Sequence, residues 1–213
     1  MEKPLYPCKN MRITQGYNEG THLDSFAIDD AGKDTSISKI RAPYTGIIKK
    51  IYKDDANEVW LESIDKVEYP DGTKDYLTMM FAHSNDVSNL FVGKKIAQNE
   101  EFYSEGTKGN ATGNHCHFEC GKGKFTGTGW HKNSSGYYSI NNGKKPEECL
   151  WLDKEVNVIN NYKYNFKSIT EEKPVVPVAK DEKEDTTEEP LFICPKSDLY
   201  GIYLKAGQKL YLK

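Results

Sequence analysis

The sequence predicts a mainly β fold, in which short antiparallel strands form a sheet sandwich or half-barrel with long loops. Short apolar runs follow one another from about residue 11 to residue 119, and turn residues separate them. No stretch carries the sustained period of a long amphipathic helix. The chain is also rich in Tyr, Ile, Thr and Gly, a composition that favours strands and tight turns.

The size and charge of the chain limit the classes of function. With 213 residues, of which 37% are hydrophobic and 12% aromatic, it has room for one domain of ordinary size and a smaller piece. A net charge of −3 gives no electrostatic case for nucleic acid. No apolar run has the length of a membrane span, and the N-terminus lacks the hydrophobic stretch of a secretory signal. We therefore expect no nucleic acid, no membrane span and no signal peptide.

The elements follow in order along the chain. Strands are predicted at Met11–Tyr17, Ile47–Tyr52, Glu58–Ser63, Leu77–His83 and residues 114–119. The Pro-Asp-Gly of Tyr69–Thr73 predicts a hairpin turn, and Val92–Glu100 is interpreted as a strand and a turn. One helical turn is predicted at Asp86–Phe91, and another, with proline at its start, at Lys145–Leu152.

The five cysteines do not form a recognisable disulfide or metal framework. Their number is odd, they are scattered, and no C-x-x-C pair is present. We interpret them as free thiols, and two of them, Cys116 and Cys120, as residues of a core face.

The stretch from Asn114 to Glu119 carries a His-x-His pattern on a predicted strand. Because side chains alternate along a strand, His115, His117 and Glu119 share one face, and the opposite face is apolar. Two neighbouring imidazoles are costly unless they have a task, and imidazole is a good zinc ligand. This strand therefore predicts part of a metal site whose other ligands come from elsewhere.

A second segment offers those ligands. His22 and Asp29 lie at the two ends of Gly20–Asp29, and a bulged turn between them would bring both side chains to one point. Together with one histidine of the central strand they make a set of two histidines and one carboxylate, which leaves a position on zinc for water. A further histidine, His83, ends the apolar strand Leu77–His83.

Five segments, in this order, resemble the motifs of the lysostaphin/LytM-type zinc endopeptidases, which cut peptidoglycan cross-bridges and stem peptides. They are G-T-H with A-I-D in Gly20–Asp29, A-P-Y-T-G-I-I in Ala42–Ile48, F-A-H in Phe81–His83, V-G-K-K-I in Val92–Ile96 and G-N-A-T-G-N-H-C-H-F-E in Gly109–Glu119. The match covers roughly residues 10 to 152. It implies a LytM-type antiparallel β domain that binds Zn²⁺ and hydrolyses peptide bonds.

The resemblance also implies a role for each matching residue. His22, Asp29 and His117 are implied as the zinc ligands. His83 and His115 are implied as the catalytic pair that flanks the bound water. One neutral histidine would accept a proton and pass it to the leaving amine, and the other would hydrogen-bond the oxyanion. The resemblance does not divide these two tasks between His83 and His115.

Two features depart from the usual pattern of this family. Six residues separate His22 from Asp29, where three are usual, and this longer spacing resembles a phage-associated branch. Asp24 and Asp30 therefore stay open as alternatives to Asp29. The middle residue of His-x-His is Cys116 where leucine is usual, a change that should matter little on a core face.

Other residues near these motifs have two interpretations each. Glu119 either orients an imidazole or is an ordinary solvated strand residue. Trp130, Tyr137 and Tyr138 lie in a region rich in Gly, Ser and Asn, which we interpret as a loop beyond the strands. They either line the substrate groove or cap the open end of the sheet. His131, in the same region, is expected at the surface.

The composition divides the chain into three parts. Residues 1–167 are assigned to the metallopeptidase domain. Residues 168–190 are rich in Pro, Glu and Lys and predict an acidic linker, because they cannot bury enough apolar surface to fold. Residues 191–213 become apolar again, and Ile202–Leu212 predicts a strand, a tight turn and a strand. This last piece is interpreted as a small β element for wall contact or self-association.

The sequence therefore predicts a zinc endopeptidase that cuts bacterial peptidoglycan. By analogy it is a phage or prophage lysin, released through a holin at lysis, or a tail-associated wall hydrolase carried on the virion. The alternatives are a non-catalytic LytM-like module that binds the wall or activates an amidase, and a virion structural protein. The bond that is cut and the host stay open.

Overall fold

The structure is a computed structural model that describes residues 1–53, 56–125, 129–169, 192–193 and 209–210. The chain divides into two compact units, Met1–Thr170 and Glu171–Lys213. The first unit contains all five segments that resemble the LytM-type motifs.

Nearly all regular structure in the first unit is β. The strands of its first half are β1 (Asn10–Gln15), β2 (Ile28–Asp30), β3 (Lys39–Arg41), β4 (Gly46–Tyr52), β5 (Glu58–Ser63), β6 (Val67–Glu68), β7 (Lys74–Asp75), β8 (Leu77–Ala82) and β9 (Lys95–Ile96). The second half contains β10 (Glu101–Ser104), β11 (Cys116–Lys122), β12 (Trp130–Lys132), β13 (Tyr138–Ile140), β14 (Gly143–Lys144), β15 (Trp151–Leu152), β16 (Asn157–Asn160) and β17 (Lys167–Ser168). The described residues contain no α-helix, only two 3-10 helices, Gly20–His22 and Pro146–Glu148. The predicted mainly β class is confirmed.

One sheet of nine strands organises this unit. Its order is β16-β1-β2-β11-β8-β5-β4-β9, and β14 pairs with the far end of β11. Every pairing within it is antiparallel except that of β1 with β16. The strand that carries His-x-His, β11, lies in the interior of the sheet between β2 and β8.

The two faces of the sheet differ as the alternation on β11 predicts. Cys116, Phe118 and Cys120 are fully buried in the main hydrophobic core, where the Phe118 ring lies 5.6 Å from the ring of Tyr6. The opposite face carries His117 and a smaller apolar cluster: Ala56, Trp60, Met80, Ala82 and Ile140. Burial of one face leaves the other free to form a site.

Two predicted turns have different outcomes. The hairpin turn at Tyr69–Thr73 is confirmed, because the Tyr69 N–H donates to the carbonyl of Thr73 at 2.9 Å between β6 and β7. The helical turn predicted at Asp86–Phe91 is wrong. There the Asp86 carboxylate accepts a hydrogen bond of 2.8 Å from the Ser88 N–H, and the Leu90 N–H donates to the carbonyl of Val87 at 3.1 Å, so the segment forms a local turn and no helix.

The region interpreted as a loop around Trp130 is instead a β-hairpin. β12 and β13 pair from Trp130↔Ile140 to Lys132↔Tyr138. The Asn133 side chain closes the turn by accepting hydrogen bonds from the backbone N–H groups of Ser135 and Tyr137, both at 3.0 Å. Polar residues on both faces conceal this hairpin from a search for hydrophobic alternation.

The segment after residue 150 completes the first unit. β16 adds to the edge of the main sheet beside β1, and β15 pairs with β17. The N–H of Ile169 donates to the carbonyl of Leu152 at 2.7 Å. Lys167, Ser168 and Ile169 are therefore hydrogen-bonded or paired within this unit.

In the second unit the structure describes one antiparallel pair, Phe192–Ile193 with Lys209–Leu210. The predicted linker beyond Ile169 and most of the predicted C-terminal element lie outside the described residues, as does Cys194. The other four cysteines are buried free thiols. Within the described part of the chain, no helix is both long enough and apolar enough to cross a membrane.

Candidate metal centre

Three side chains predicted as ligands converge on the open face of the main sheet. In the pairing of β2 with β11, Asp29 lies opposite His117. His22 is the last residue of the 3-10 helix Gly20–His22 and is 3% exposed. One ligand atom from each of the three residues lies within 4.8 Å of the other two. The connection between His22 and Asp29 therefore brings both side chains to one point, as the sequence predicts.

The donor set fits a zinc ion. Asp29 Oδ1 lies 3.3 Å from His22 Nε2 and 3.0 Å from His117 Nδ1. Two imidazole nitrogens and one carboxylate oxygen are ligands that zinc accepts, and three protein ligands leave one tetrahedral position for water. The three side chains are between 4% and 14% exposed, so the centre is shielded on the protein side and open towards solvent.

The second nitrogen of each candidate ligand imidazole has its own hydrogen-bond partner. His22 Nδ1 lies 3.0 Å from the carbonyl of Gly16, and His117 Nε2 lies 3.3 Å from Glu119 Oε1. Glu119 is 1% exposed, and its Oε2 accepts a hydrogen bond of 2.9 Å from the Ile140 N–H. Glu119 is therefore not a solvated strand residue. It fixes the orientation of His117, as carboxylates commonly do behind metal-binding histidines.

The alternative aspartates lie outside this cluster. Asp30 points to the core, where its Oδ2 accepts hydrogen bonds from the Tyr6 hydroxyl at 2.7 Å and the Arg12 N–H at 3.1 Å. Asp24 has a left-handed backbone with φ +58 and hydrogen-bonds the Ser134 hydroxyl. Of the three candidate aspartates, only Asp29 approaches both histidines.

His83 and His115 border the same cluster. His115 Nε2 lies 3.7 Å from Asp29 Oδ1, and the rings of His83 and His115 are 4.6 Å apart. Backbone carbonyls hold the Nδ1 atoms of both rings, Lys108 at 2.7 Å from His83 and Gly113 at 2.8 Å from His115. The Nε2 edges of both rings remain available to a molecule in the cleft.

The backbone of His83 is unusual. It has φ +82 directly after β8, a conformation that costs a residue with a side chain about 1–3 kcal/mol. Its N–H donates to the carbonyl of Ala56 at 2.7 Å, and its own carbonyl accepts from the Lys108 N–H at 3.0 Å. A Cβ at Gly106 would lie 2.3 Å from the His83 carbonyl oxygen. Glycine at position 106 is thus required for the turn that positions this imidazole.

The electrostatics of the cluster favour a cation. Burial alone would raise the pKa of Asp29, but hydrogen bonds with His117 and His22 outweigh it and hold that pKa far below its usual range. Burial alone would lower the pKa of His117, but its hydrogen bonds to Asp29 and Glu119 raise it to about 10. Without a metal, a proton is therefore retained between these side chains. A bound metal ion supplies that positive charge instead.

The cluster lies in a cleft of about 260 Å³ that all five predicted site residues line. Tyr137 and Tyr138 also line it, whereas Trp130 does not and instead packs with its ring 4.1 Å from that of Tyr138. A larger groove of about 1200 Å³ lies elsewhere on the first unit, and no histidine lines it. The smaller cleft is therefore the one that gathers the predicted site residues.

Sequence reasoning missed several residues of the cleft. They are Gln15, Thr21, Glu58, Asn110, Thr112, Asn133 and Ser139. Six of the seven are uncharged polar residues, which lie in loops, strands and a 3-10 helix, and no spacing distinguishes them from other surface positions. The position of Glu58 could have been predicted. It begins a strand whose next residue, Val59, faces the core, so the alternation of side chains places Glu58 on the cleft face.

No family model matches the chain. One similar solved structure is a variant of the catalytic domain of the prophage-encoded M23 protein EnpA from Enterococcus faecalis, with 21% identity over 57% of this chain and 88% of that chain and a TM-score of 0.42. Another is the catalytic domain of the antimicrobial peptidase lysostaphin from Staphylococcus simulans, with 16% identity over 64% of this chain and 89% of that chain and a TM-score of 0.42. A zinc-containing peptidase from Vibrio cholerae is also similar, with 17% identity over 57% of this chain and 37% of that chain and a TM-score of 0.43. The chain is therefore similar, at low sequence identity, to structures of bacterial peptidases.

Proposed function

We propose that this chain is a zinc-dependent endopeptidase that hydrolyses peptide bonds in bacterial peptidoglycan. The observation that carries the proposal is the convergence of His22, Asp29 and His117 in one open cleft, with two further histidines beside them. The resemblance of five ordered sequence segments to the LytM-type motifs supports peptidoglycan as the substrate.

The ligand residues prepare the cleft for zinc. His22 Nε2, Asp29 Oδ1 and His117 Nδ1 would hold the ion, and Glu119 would keep the His117 ring in its ligating orientation. A zinc ion held by these residues would lower the pKa of a bound water and polarise the carbonyl of the bond to be cut. Asp29 supplies one negative charge and neutral histidines supply none, so these ligands would leave part of the charge of a divalent ion uncompensated, which would favour a developing oxyanion.

The two bordering histidines would move the proton and bind the oxyanion. Each donates its Nδ1–H to a backbone carbonyl when the ring is neutral, so the Nε2 lone pair points into the cleft. One of His83 and His115 accepts the proton of the attacking water and delivers it to the leaving amine. The other, when protonated at Nε2, donates a hydrogen bond to the oxyanion of the tetrahedral intermediate.

The biological setting belongs to the same proposal. The long spacing between His22 and Asp29 supports a phage or prophage enzyme, acting as a lysin at the end of infection or as a wall hydrolase on a tail. In both settings it acts on the bacterial wall. The acidic, proline-containing sequence of residues 168–190 supports a linker, and the apolar residues of 191–213 support a small wall-contact or self-association element.

The test is mass spectrometry of soluble fragments released from purified peptidoglycan by the zinc-loaded protein, compared with His115→Ala. New amino termini are expected only with the wild-type protein, and their masses identify the bond. His115→Ala should retain its zinc and its fold. If zinc-loaded wild-type protein releases no new termini from walls of several chemotypes but sediments with them, the chain is a wall-binding module. If it neither cuts nor binds walls, the structural role in a virion is favoured.

A further inference from the structure

Two of the three candidate ligands are held by the main sheet, and the third is not. Asp29 and His117 lie on paired strands, so the register of β2 with β11 fixes their backbones. His22 instead ends a 3-10 helix of three residues, Gly20–His22, whose N-cap residue makes no side-chain capping hydrogen bond. A helix this short is weak by itself, and its last carbonyls have no partner within it. A fixed position for His22 therefore calls for support from outside its own loop.

The turn of the β12–β13 hairpin supplies that support. Asn133 donates its Nδ2–H to the carbonyl of Thr21 at 2.9 Å. The Ser135 hydroxyl donates to the carbonyl of Gly20, also at 2.9 Å. Both acceptors belong to the 3-10 helix that ends at His22. Side chains more than 110 positions later in the chain thus satisfy carbonyls that the helix itself leaves without a partner.

Asn133 joins the hairpin turn to that helix through the two ends of one amide. Its Oδ1 accepts from the N–H groups of Ser135 and Tyr137, both at 3.0 Å, whereas its Nδ2 donates to Thr21. Only this orientation of the amide satisfies all three bonds, because the groups at Oδ1 are donors and the group at Nδ2 is an acceptor. Asn133 is 8% exposed, so water competes little for these bonds. One buried side chain therefore holds the turn and the helix together.

The same hairpin forms a wall of the cleft. Asn133, Tyr137 and Tyr138 line the cleft. Across it, Asn110 donates its Nδ2–H to the Tyr137 hydroxyl at 3.0 Å, from the loop that leads to His115. The hairpin thus contacts the loop of a candidate ligand on one side and the loop of a candidate catalytic residue on the other.

We propose that Asn133 is a positioning residue of the metal centre, which holds the helix of His22 on the β12–β13 hairpin and so keeps His22 Nε2 beside Asp29. The inference rests on the proposed binding of zinc by His22, Asp29 and His117, and it adds the hairpin as the element that regulates this binding. Coupling between two equilibria is reciprocal, so a hairpin that strengthens zinc binding is itself stabilised by zinc. The metal centre and the cleft wall therefore form together.

The first measurement is the zinc affinity of the full-length protein, obtained by competition with a chelator. Asn133→Asp keeps the acceptor that closes the turn and removes the donor to Thr21, so zinc affinity should fall about ten-fold. The added negative charge alone would instead raise the affinity for a cation, and the sign of the change therefore separates positioning from electrostatics. Ser135→Ala removes only the side-chain bond to the carbonyl of Gly20 and should lower the affinity about three-fold.

Asn160→Asp is the matched control. Asn160 also uses both ends of its amide, donating to the carbonyl of Ile13 at 2.8 Å and accepting from the Tyr162 N–H at 3.0 Å. It does not line the cleft. The substitution removes the same kind of donor and adds the same charge, so it should leave zinc affinity as in wild type.

The second measurement is hydrogen exchange of the backbone amides of residues 133–137, with and without zinc. Zinc should slow this exchange in wild type, although none of the predicted ligands lies in the hairpin. It should slow the exchange less in Asn133→Asp. Protection of the amides of β8 in the interior of the sheet shows that each variant is folded.

The outcomes separate this inference from the proposed function. Zinc affinity as high in Asn133→Asp as in wild type, or hairpin exchange that zinc does not change, would overturn the role of Asn133 and leave the peptidase intact. If Asn133→Asp does not fold, Ser135→Ala decides, and an unchanged affinity in that variant overturns the inference. Wild type that shows both effects but releases no fragments from peptidoglycan supports the inference and refutes the peptidase.

Discussion

Asp29 and Asp30 are neighbours on β2, yet they lie in opposite environments. Asp29 projects into the cleft, where its Oδ1 lies 3.0 Å from His117 Nδ1 and 3.3 Å from His22 Nε2. Asp30 is fully buried on the other face, where the Tyr6 hydroxyl donates to it at 2.7 Å. Histidine neighbours hold the pKa of Asp29 far below its usual range despite burial, whereas burial raises the pKa of Asp30 to about 6.

The difference shows that the alternation of side chains along a strand places one aspartate in the cleft and the next in the hydrophobic core. Identical side chains acquire opposite ionisation behaviour because the sheet turns one to imidazoles and the other to the core. The cleft face is therefore expected to control metal and activity, and the core face to control stability.

The largest effect is expected from Asp29→Ala. It removes the carboxylate that the two ligand histidines share, so the protein should lose nearly all bound zinc and its hydrolytic activity. Asp30→Asn is the matched control on the adjacent residue and should keep its zinc. Metal analysis of both purified variants after dialysis is the measurement. Full zinc occupancy in Asp29→Ala would transfer the ligand role to Asp24 or Asp30.

A smaller effect concerns pH and Asp30. Because its pKa is raised in the folded state from 3.8 to about 6, the folded protein binds this proton more tightly than the unfolded chain does. Its contribution to the free energy of unfolding should thus be lost as pH rises from about 4 to about 6, by on the order of 3 kcal/mol. Glu105, whose pKa burial raises to about 7, acts in the same direction nearby.

Urea unfolding of wild type and Asp30→Asn between pH 4 and pH 7, with a chelator in both samples, measures this contribution. The variant removes the contribution of the Asp30 carboxyl, whereas burial, the main cause of the raised pKa of Glu105, is retained. The difference between the two unfolding free energies should therefore change with pH. A constant difference would show that Asp30 has an ordinary pKa in the folded protein.

The smallest effect is expected from Glu119→Gln, which tests the support behind His117. His117 Nε2–H and the Ile140 N–H donate to different oxygens of Glu119, and the amide NH₂ that replaces one of these oxygens cannot accept, so one hydrogen bond is lost. Zinc affinity should fall about ten-fold, equal to about 1.4 kcal/mol. Glu62→Gln is the control, because Glu62 is also a buried carboxylate on a strand but bonds the Phe125 N–H instead of a ligand. Competition with a zinc chelator gives both affinities, and equal values would assign Glu119 to packing alone.

Much of the fold, and which residues are candidate ligands, could be predicted from the sequence. Alternation on β11 predicts the buried face of Cys116 and Phe118, because a strand between two others has only two sides. The order of short motifs points to the residues that the structure gathers in one cleft. Their roles as ligands and catalysts stay predictions that the experiments above address.

Other features depend on contacts between distant segments, which local patterns do not encode. Glu119 is buried because the Ile140 N–H reaches it from β13, and nothing within residues 114–119 indicates that partner. Asp29 rather than Asp30 faces the cleft because of the register between β2 and β11. The strands of the β12–β13 hairpin and the parallel strand β16 are only three or four residues long and show no hydrophobic alternation, so only their tertiary partners reveal them.

The pairing of β1 with β16 has a consequence for how the chain acquires its fold. Asn10 meets Asn157, and the carbonyl of Ile13 accepts a hydrogen bond from Asn160, across 147 residues in each case. Contacts of such high sequence separation slow folding, because a long loop must close before they form. During synthesis, therefore, the edge of β1 that pairs with β16 has no partner until nearly the whole unit has been made. A chaperone that shields that edge is expected to increase the yield of folded protein without changing the stability of the finished fold.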